Sequence, residues 1–192
     1  MKILFINASP RKSGVTATVL AGMRAALQAH HAVEWINIRD IKIAPCTGCL
    51  GCRPDRDCVL PRDGAHHFAD EARNADMIIV GAPAYWGNIP GPLKNLFDRN
   101  VTTFEYIEAG PMKKLPSPRL RGKSAIFVVA SGSPFPFNLM SNQAGGTIRA
   151  LKTVFKAGGI KIRTVFAIGD AYRFREREER VMRKAKKIAL GL

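Results

Sequence analysis

Residues 1–20 read MKILFINASPRKSGVTATVL. An apolar run over residues 2–7 gives way to a short polar loop carrying Ser9, Pro10, Arg11, Lys12, Ser13 and Gly14, and then to apolar positions at helical spacing. A short, nearly unbroken apolar run bounded by turn residues is the pattern of a strand buried on both faces. Strand, tight loop and helix in that order recur along the chain. Further β-rich runs fall at residues 33–38, 76–81, 124–130 and 160–168, and helical periodicity covers 16–28, 66–74, 91–100, 142–156 and 174–190. Five strands alternating with five helices predict an α/β fold, a parallel sheet covered on both faces. Right-handed crossovers leave few topologies, of which the strand order 2-1-3-4-5 leads.

The 192 residues fit one domain, with a cysteine-rich loop at 39–63 and a long loop at 101–123 that exceed what such a fold needs. The second carries Gly110-Pro111 and Pro116-Ser-Pro118 and is expected to act as an oligomer arm or a lid. Hydrophobic residues at 46% and charged residues at 23% exclude disorder and low-complexity classes. No apolar run approaches the roughly 20 residues a membrane span needs, and no cleavable leader pattern follows the start, so a cytoplasmic protein is expected. The formal net charge of +15 raises nucleic-acid binding. However, the cations divide between the long loop (Lys113, Lys114, Arg119, Arg121, Lys123) and a last helix where Glu176, Glu178 and Glu179 are interleaved with them. No basic stripe with interleaved aromatics is present, so a solvated face or an acidic partner is expected and nucleic acid is not.

An open parallel sheet binds ligands beyond the carboxyl ends of its strands. In the first loop Ser9, Ser13 and Thr16 supply hydroxyls, Gly14 permits close backbone approach, and Arg11 and Lys12 add charge. With the unpaired N–H groups of the following helix, these suit a phosphate dianion. The spacing is neither G-x-G-x-x-G nor the P-loop pattern. After the third strand comes GAPAYWGNIPGPLKNLFDR (81–99), in which Tyr85 and Trp86 suit a flat heterocycle; after the fourth comes ASGSPFPFNLM. A phosphate loop and an aromatic loop meeting at one edge imply a mononucleotide with a planar ring, best a flavin.

The stretches SPRKSGVT and PAYWGNIPGPLKNLFDR, with the βα order, resemble the NADPH-dependent FMN reductase branch of the flavodoxin-like superfamily. The resemblance implies FMN as cofactor and NAD(P)H as reductant, with electrons passing to a small acceptor such as a quinone or flavin. By position it assigns the phosphate to Ser9, Arg11, Ser13, Gly14 and Thr16. The ring and ribityl chain fall to Pro83, Ala84, Tyr85, Trp86, Gly87 and Asn88, and the far side to Ser131, Gly132 and Ser133. It implies a homodimer or homotetramer, makes Lys94, Asp98 and Arg99 packing or interface residues, and requires no protein acid or base as catalyst.

All four cysteines lie in CTGCLGCRPDRDC, as Cys46, Cys49, Cys52 and Cys58. The spacing C-x2-C-x2-C-x5-C is that of a loop wrapping a cubane cluster, with Gly48 and Gly51 giving room for sulfur. Zinc sites more often pair two separated knuckles, so a 4Fe–4S cluster is preferred over zinc, and free thiols in a structured loop stand as the third reading. Iron–sulfur flavoproteins, which the pattern also resembles, combine such a loop with FMN; an electron carrier served by an acidic ferredoxin is the alternative function, with Arg53, Arg56 and Arg62 as docking charges. His66 and His67 are expected at the surface of a helix start.

Overall fold

The computed structural model describes residues 1–106 and 116–191. Strand β1 (Lys2–Asn7) pairs in parallel with β2 (Ala32–Asn37) on one side and β3 (Met77–Pro83) on the other. Beyond β3 lie β6 (Ser124–Ala130) and β7 (Lys161–Ile168), giving the order β2-β1-β3-β6-β7. This is the expected 2-1-3-4-5 arrangement. The three inner strands are buried almost without interruption, whereas edge strands β2 and β7 are mostly only partly buried. Covered faces explain the unbroken apolar runs KILFIN, MIIVGAP and SAIFVVA. The register slips by one between Ala125 and Ile126, leaving Arg163 of β7 as the extra residue.

Helices α1 (Val15–Leu27) and α6 (Phe174–Leu190) cover one face, where Leu20, Met23 and Leu27 pack with Phe5, Ile79, Val128 and Val181. Helices α2 (Gly64–Asn74), α3 (Gly91–Arg99) and α5 (Ala144–Ala157) cover the other. There Phe68, Phe97, Phe104, Phe127 and Phe155 meet with ring centroids 4.9–6.3 Å apart, mostly edge to face.

The helix expected at 91–100 is α3, which ends at Arg99, and the segment expected to be a long loop opens with a single turn, α4 (Val101–Phe104). Asn100 causes the break. Its side-chain amide donates to the carbonyls of Leu96 and Ala65, and its oxygen accepts from the Thr103 hydroxyl, so local side-chain bonds compete with the helix ladder. The segment then continues as β4 (Glu105–Tyr106), antiparallel to β5 (Ser117–Pro118), and Leu120 is buried. Its ends therefore fold onto the body. Gly110, Pro111, Lys113 and Lys114, where the arm or lid was expected, lie outside the described residues. Among the described residues no helix is long and apolar enough to cross a membrane.

One close approach sets the position of α1. A Cβ on Gly81 of β3 would stand 2.4 Å from Leu20 Cδ1 and 2.7 Å from Thr16 Cγ2. Both contacts are with buried side chains of α1, which have no room to retreat. Gly81→Ala is expected to lower stability by about 1–3 kcal/mol, the usual cost of overpacking, read as an earlier urea midpoint with an unchanged slope. An unaltered midpoint would show that the helix is not held against the sheet here.

Candidate functional site

Helix α1 starts at the carboxyl ends of β1 and β3 with no side-chain cap and no acidic residue in its first turn. Gly14, the N-cap position, is extended, and the first helical bond is Thr18 N–H to Gly14 C=O at 2.9 Å. The N–H groups of Val15, Thr16 and Ala17 are thus available to an anion, which the positive end of the helix favours. Ser9 shapes the approach. Its buried Oγ donates to Arg11 C=O (2.9 Å) and accepts from Arg11 N–H (3.2 Å), closing a tight turn that lifts the Arg11 side chain into solvent. A Cβ on Gly14 would come within 3.0 Å of that hydroxyl.

A cavity of about 260 Å³ opens over this helix start. Of the expected residues it brings together Ser9, Arg11, Gly14, Thr16, Pro83, Ala84, Tyr85, Ser131 and Gly132. Ser131 is buried, and its hydroxyl has no hydrogen-bond partner in the protein. A buried polar atom without a partner at the wall of a cavity fits a hydroxylated ligand. The donor set suits FMN: amides and hydroxyls at the helix start for a phosphate, the Ser131 hydroxyl for a polyol, and tyrosine at the mouth for a ring.

Five expected residues lie outside the cavity lining. Ser13 is solvent-exposed on the first loop. Trp86 and Gly87 both have positive φ (52° and 70°) and form the tip of a two-residue hairpin closed by Tyr85 and Asn88, whose N–H and C=O groups exchange bonds of 3.0 and 2.9 Å. The turn throws the Trp86 side chain fully into solvent. Gly87 instead abuts the backbone of Ser141 and Asn142, and the Asn88 carbonyl accepts from Thr147. Ser133 uses its carbonyl to accept from Asp170 N–H. Unforeseen contributors are Pro10, Val15 and Ala130, beside expected ones, and Ala171 and Tyr172, from the loop after β7. The ring of Tyr172 lies over Gly132, where a Cβ would stand 2.7 Å from Cε2. The sequence signal was GDAY at the end of the last strand: a small residue and an aromatic at the same sheet edge.

The cysteine loop occupies a separate place, against α2, α3 and α4. Its centre is Arg99, whose side chain is fully buried. Nε donates to Cys58 Sγ (2.9 Å), Nη1 to Ala44 C=O (2.7 Å) and to Asp63 Oδ2 (2.9 Å), and Nη2 to Asp63 Oδ1 (3.3 Å). Asp63 also caps α2 through Ala65 N–H and accepts from Ala44 N–H, both at 2.9 Å. Contrary to the surface reading, His66 is buried: Nδ1 accepts from Asp63 N–H and Nε2 faces Cys58 C=O at 2.8 Å, so Nε2 carries the proton. His67 remains half exposed. Thr102 donates to Arg56 C=O, Arg119 to Asp55 C=O, and Arg73 pairs with Asp57. Lys94 and Asp98 pair along the exposed face of α3.

All four cysteines are free thiols; Cys46 and Cys49 are exposed, Cys52 and Cys58 partly buried. Gly51 N–H and then the Thr47 hydroxyl hold the Cys49 thiol below its ordinary pKa. Number and type of donor match a cluster. Yet among the described residues no three His, Cys, Asp or Glu side chains are gathered so as to hold a metal ion. The loop presents the four thiols without converging them.

A family profile described as flavodoxin-like fold matches residues 1–190. The chain belongs to that family. Within the flavodoxin-like family, an iron-sulfur flavoprotein of Methanosarcina thermophila is 38% identical over 102 residues, 53% of each chain. An FMN-dependent NADH:quinone oxidoreductase of Yersinia pestis is 33% identical over 118 residues, covering 55% of this chain and 56% of its own. The chain thus spans about half the length of these curated relatives. The crystal structure of an FMN-dependent NADH-azoreductase from Bacillus anthracis, in complex with FMN, superposes with a TM-score of 0.77 over 98% of both chains at 18% identity, a likeness of fold.

The Asp63–Arg99 pair gives this flavodoxin-like chain a pH signature. Burial pushes the Asp63 carboxyl up, but the N–H groups of Ala44 and Ala65 and the Arg99 guanidinium outweigh it and hold its pKa below the ordinary carboxylate value. Because the folded-state pKa is depressed, Asp63 stabilises the fold fully above the unfolded value of about 3.9, and this contribution is lost as pH falls through the lower folded value. Asp63→Asn is expected to cost about 3 kcal/mol at pH 7, since it leaves a buried guanidinium uncompensated. In urea titrations the gap to the parent should narrow below about pH 4; a gap independent of pH would contradict the assignment.

Proposed function

We propose that the chain works as one FMN-binding unit that passes electrons from NAD(P)H to a small acceptor such as a quinone or a flavin. The observation that carries the reading is the uncapped start of α1, set with Ser9, Arg11 and Thr16 in a cavity whose far wall holds the unpartnered Ser131 hydroxyl. The amides of Val15, Thr16 and Ala17, the Thr16 hydroxyl and Arg11 would hold the phosphate; Ser131 would bind a ribityl hydroxyl; Tyr85 and Tyr172 would flank the ring. Bound FMN supplies hydride acceptance from the nicotinamide, and the chain supplies position and electrostatics. Relatives whose names specify FMN and NADH support the cofactor and the reductant.

The test is a spectrum of the protein with FMN, followed anaerobically on adding NADH or NADPH. Bleaching that saturates with nicotinamide is expected; no bleaching with either nucleotide would overturn the reading. Arg11→Glu should weaken FMN at least about tenfold through loss of one charge-assisted contact, without shifting the urea midpoint, because Arg11 is exposed.

A second reading adds a 4Fe–4S cluster at Cys46, Cys49, Cys52 and Cys58, favoured by the Arg99 donor to Cys58 Sγ and by relatives named iron-sulfur flavoprotein. The loop would have to close to converge its thiols. Roughly four iron and four sulfide per chain in anaerobically purified protein would establish it; no iron after reconstitution would leave the thiols free. With a cluster, Arg53, Arg56 and Arg62 would dock an acidic ferredoxin at a rate that falls with salt. The exposed Trp86, Phe135, Phe137, Leu139 and Met140 support a homodimer or homotetramer, and four free thiols suit a reducing cytoplasm.

A further inference from the structure

A cavity of about 330 Å³ opens at the far edge of the sheet, between β7, α6 and the single turn Phe137–Leu139. It is separate from the flavin cavity. The wall between them is the pairing of two loops, in which Ala171 N–H donates to Ser131 C=O (3.0 Å) and Asp170 N–H to Ser133 C=O (2.8 Å).

Two kinds of surface meet there. Phe166, Ile168 and Val181 are buried and give an apolar wall. Arg177, Arg180 and Lys184 project from successive turns of α6 and give a cationic one. No acidic residue lines the cavity. Asp170 Oδ2 lies 3.7 Å from Arg177 and offsets one of the three charges. Lys184 Nζ is held 5.1 Å from the centre of the Phe166 ring, so charge and flat apolar surface are adjacent.

Polar atoms inside the cavity wall are left unsatisfied. Asn138 is 2% exposed, and its Oδ1 has no partner. Arg177 anchors itself with Nη2 on the carbonyls of Gly169 (2.8 Å) and Asp170 (2.7 Å), which leaves a buried Nε–H without an acceptor. A Cβ on Gly169 would stand 3.0 Å from the Asn138 amide, so the glycine lets that amide press against the strand end. The Arg177 Nε–H calls for an acceptor, which an acid group supplies, whereas the Asn138 oxygen calls for a donor, which an anion lacks.

We propose that this cavity binds a small organic anion of the aromatic carboxylate or sulfonate class. Its flat body lies on Phe166, Ile168 and Val181, and its acid group meets Arg177, Arg180 and Lys184. Cations beside an apolar wall select for an anion with a planar body over a bare inorganic ion, because only a ligand carrying both features engages both walls.

Titration with 1-anilinonaphthalene-8-sulfonate, a planar sulfonate that fluoresces in apolar sites, tests this on the folded chain with and without saturating FMN. Saturation at one dye per chain is expected in both, with displacement by 1-naphthoate but not by sulfate at the same concentration. Arg180→Glu combined with Lys184→Glu should raise the dissociation constant at least about tenfold. Lys186→Glu with Lys187→Glu, the same charge change on the same helix outside the cavity, should leave it unchanged. The proposal is overturned if FMN displaces the dye, if sulfate displaces it as well as naphthoate does, if binding does not saturate, or if the two double variants behave alike.

Discussion

The proposed site depends on how closely α1 lies against the sheet. A helix presents free N–H groups only at its start, and their field fades within one turn. The start must therefore stand where the strands end, with nothing between. Gly81 removes the one Cβ that would hold Leu20 and Thr16 away, and Gly14 lets the chain enter the helix beside the Ser9 hydroxyl. The turn built by Ser9 and Arg11 is the local consequence, and the cavity between the first loop and the loops after β3, β6 and β7 is the global one. Sheet order does the rest: β1 and β3 are neighbours although α1 and β2 separate them in sequence, so the first and third loops meet at the switch point.

A second anchor works independently on the opposite face. Arg99 gathers a carbonyl, a carboxylate and a thiol from three points of the cysteine loop, and it does so from the last turn of α3 with its side chain out of solvent. Buried ion pairs contribute little net stability over a well-packed apolar alternative. What this one does is fix position: it ties the beginning and the end of the cysteine loop to one helix end, while Thr102 and Arg119 hold its middle. The half of the loop carrying Cys46 and Cys49 is left outside this scaffold. The loop is thus fixed at both ends, with Cys58 inside the scaffold and Cys46 and Cys49 on its exposed stretch.

The sheet and its helices were legible because their signals are local. Apolar runs buried on both faces and helical spacing each need only a window of a few residues, and Lys2–Asn7, Ser124–Ala130 and Phe174–Leu190 have the bounds the pattern gives. The first loop and the helix start that follows it were legible for the same reason. Trp86 was not, because which way a hairpin aromatic points is decided by turn type, and positive φ at both Trp86 and Gly87 carries it outward. Tyr172 came from a loop whose role depends on its opposition to Gly132, a contact forty residues away in the chain. Arg99 looked like helix packing, since its partner Cys58 lies 41 residues earlier. His66 looked like a surface residue because its two bonds, to Asp63 and Cys58, exist only once the loop is folded back.

The central claim is that the start of α1 binds the terminal phosphate of a flavin mononucleotide. Comparing the affinities of FMN and riboflavin for the same protein tests it most directly, since the two ligands differ in that phosphate alone. With two or more charge-assisted bonds at stake, the account predicts that FMN binds at least about 100-fold more tightly, and that the advantage shrinks as salt rises. Equal affinities, unaffected by salt, would contradict it.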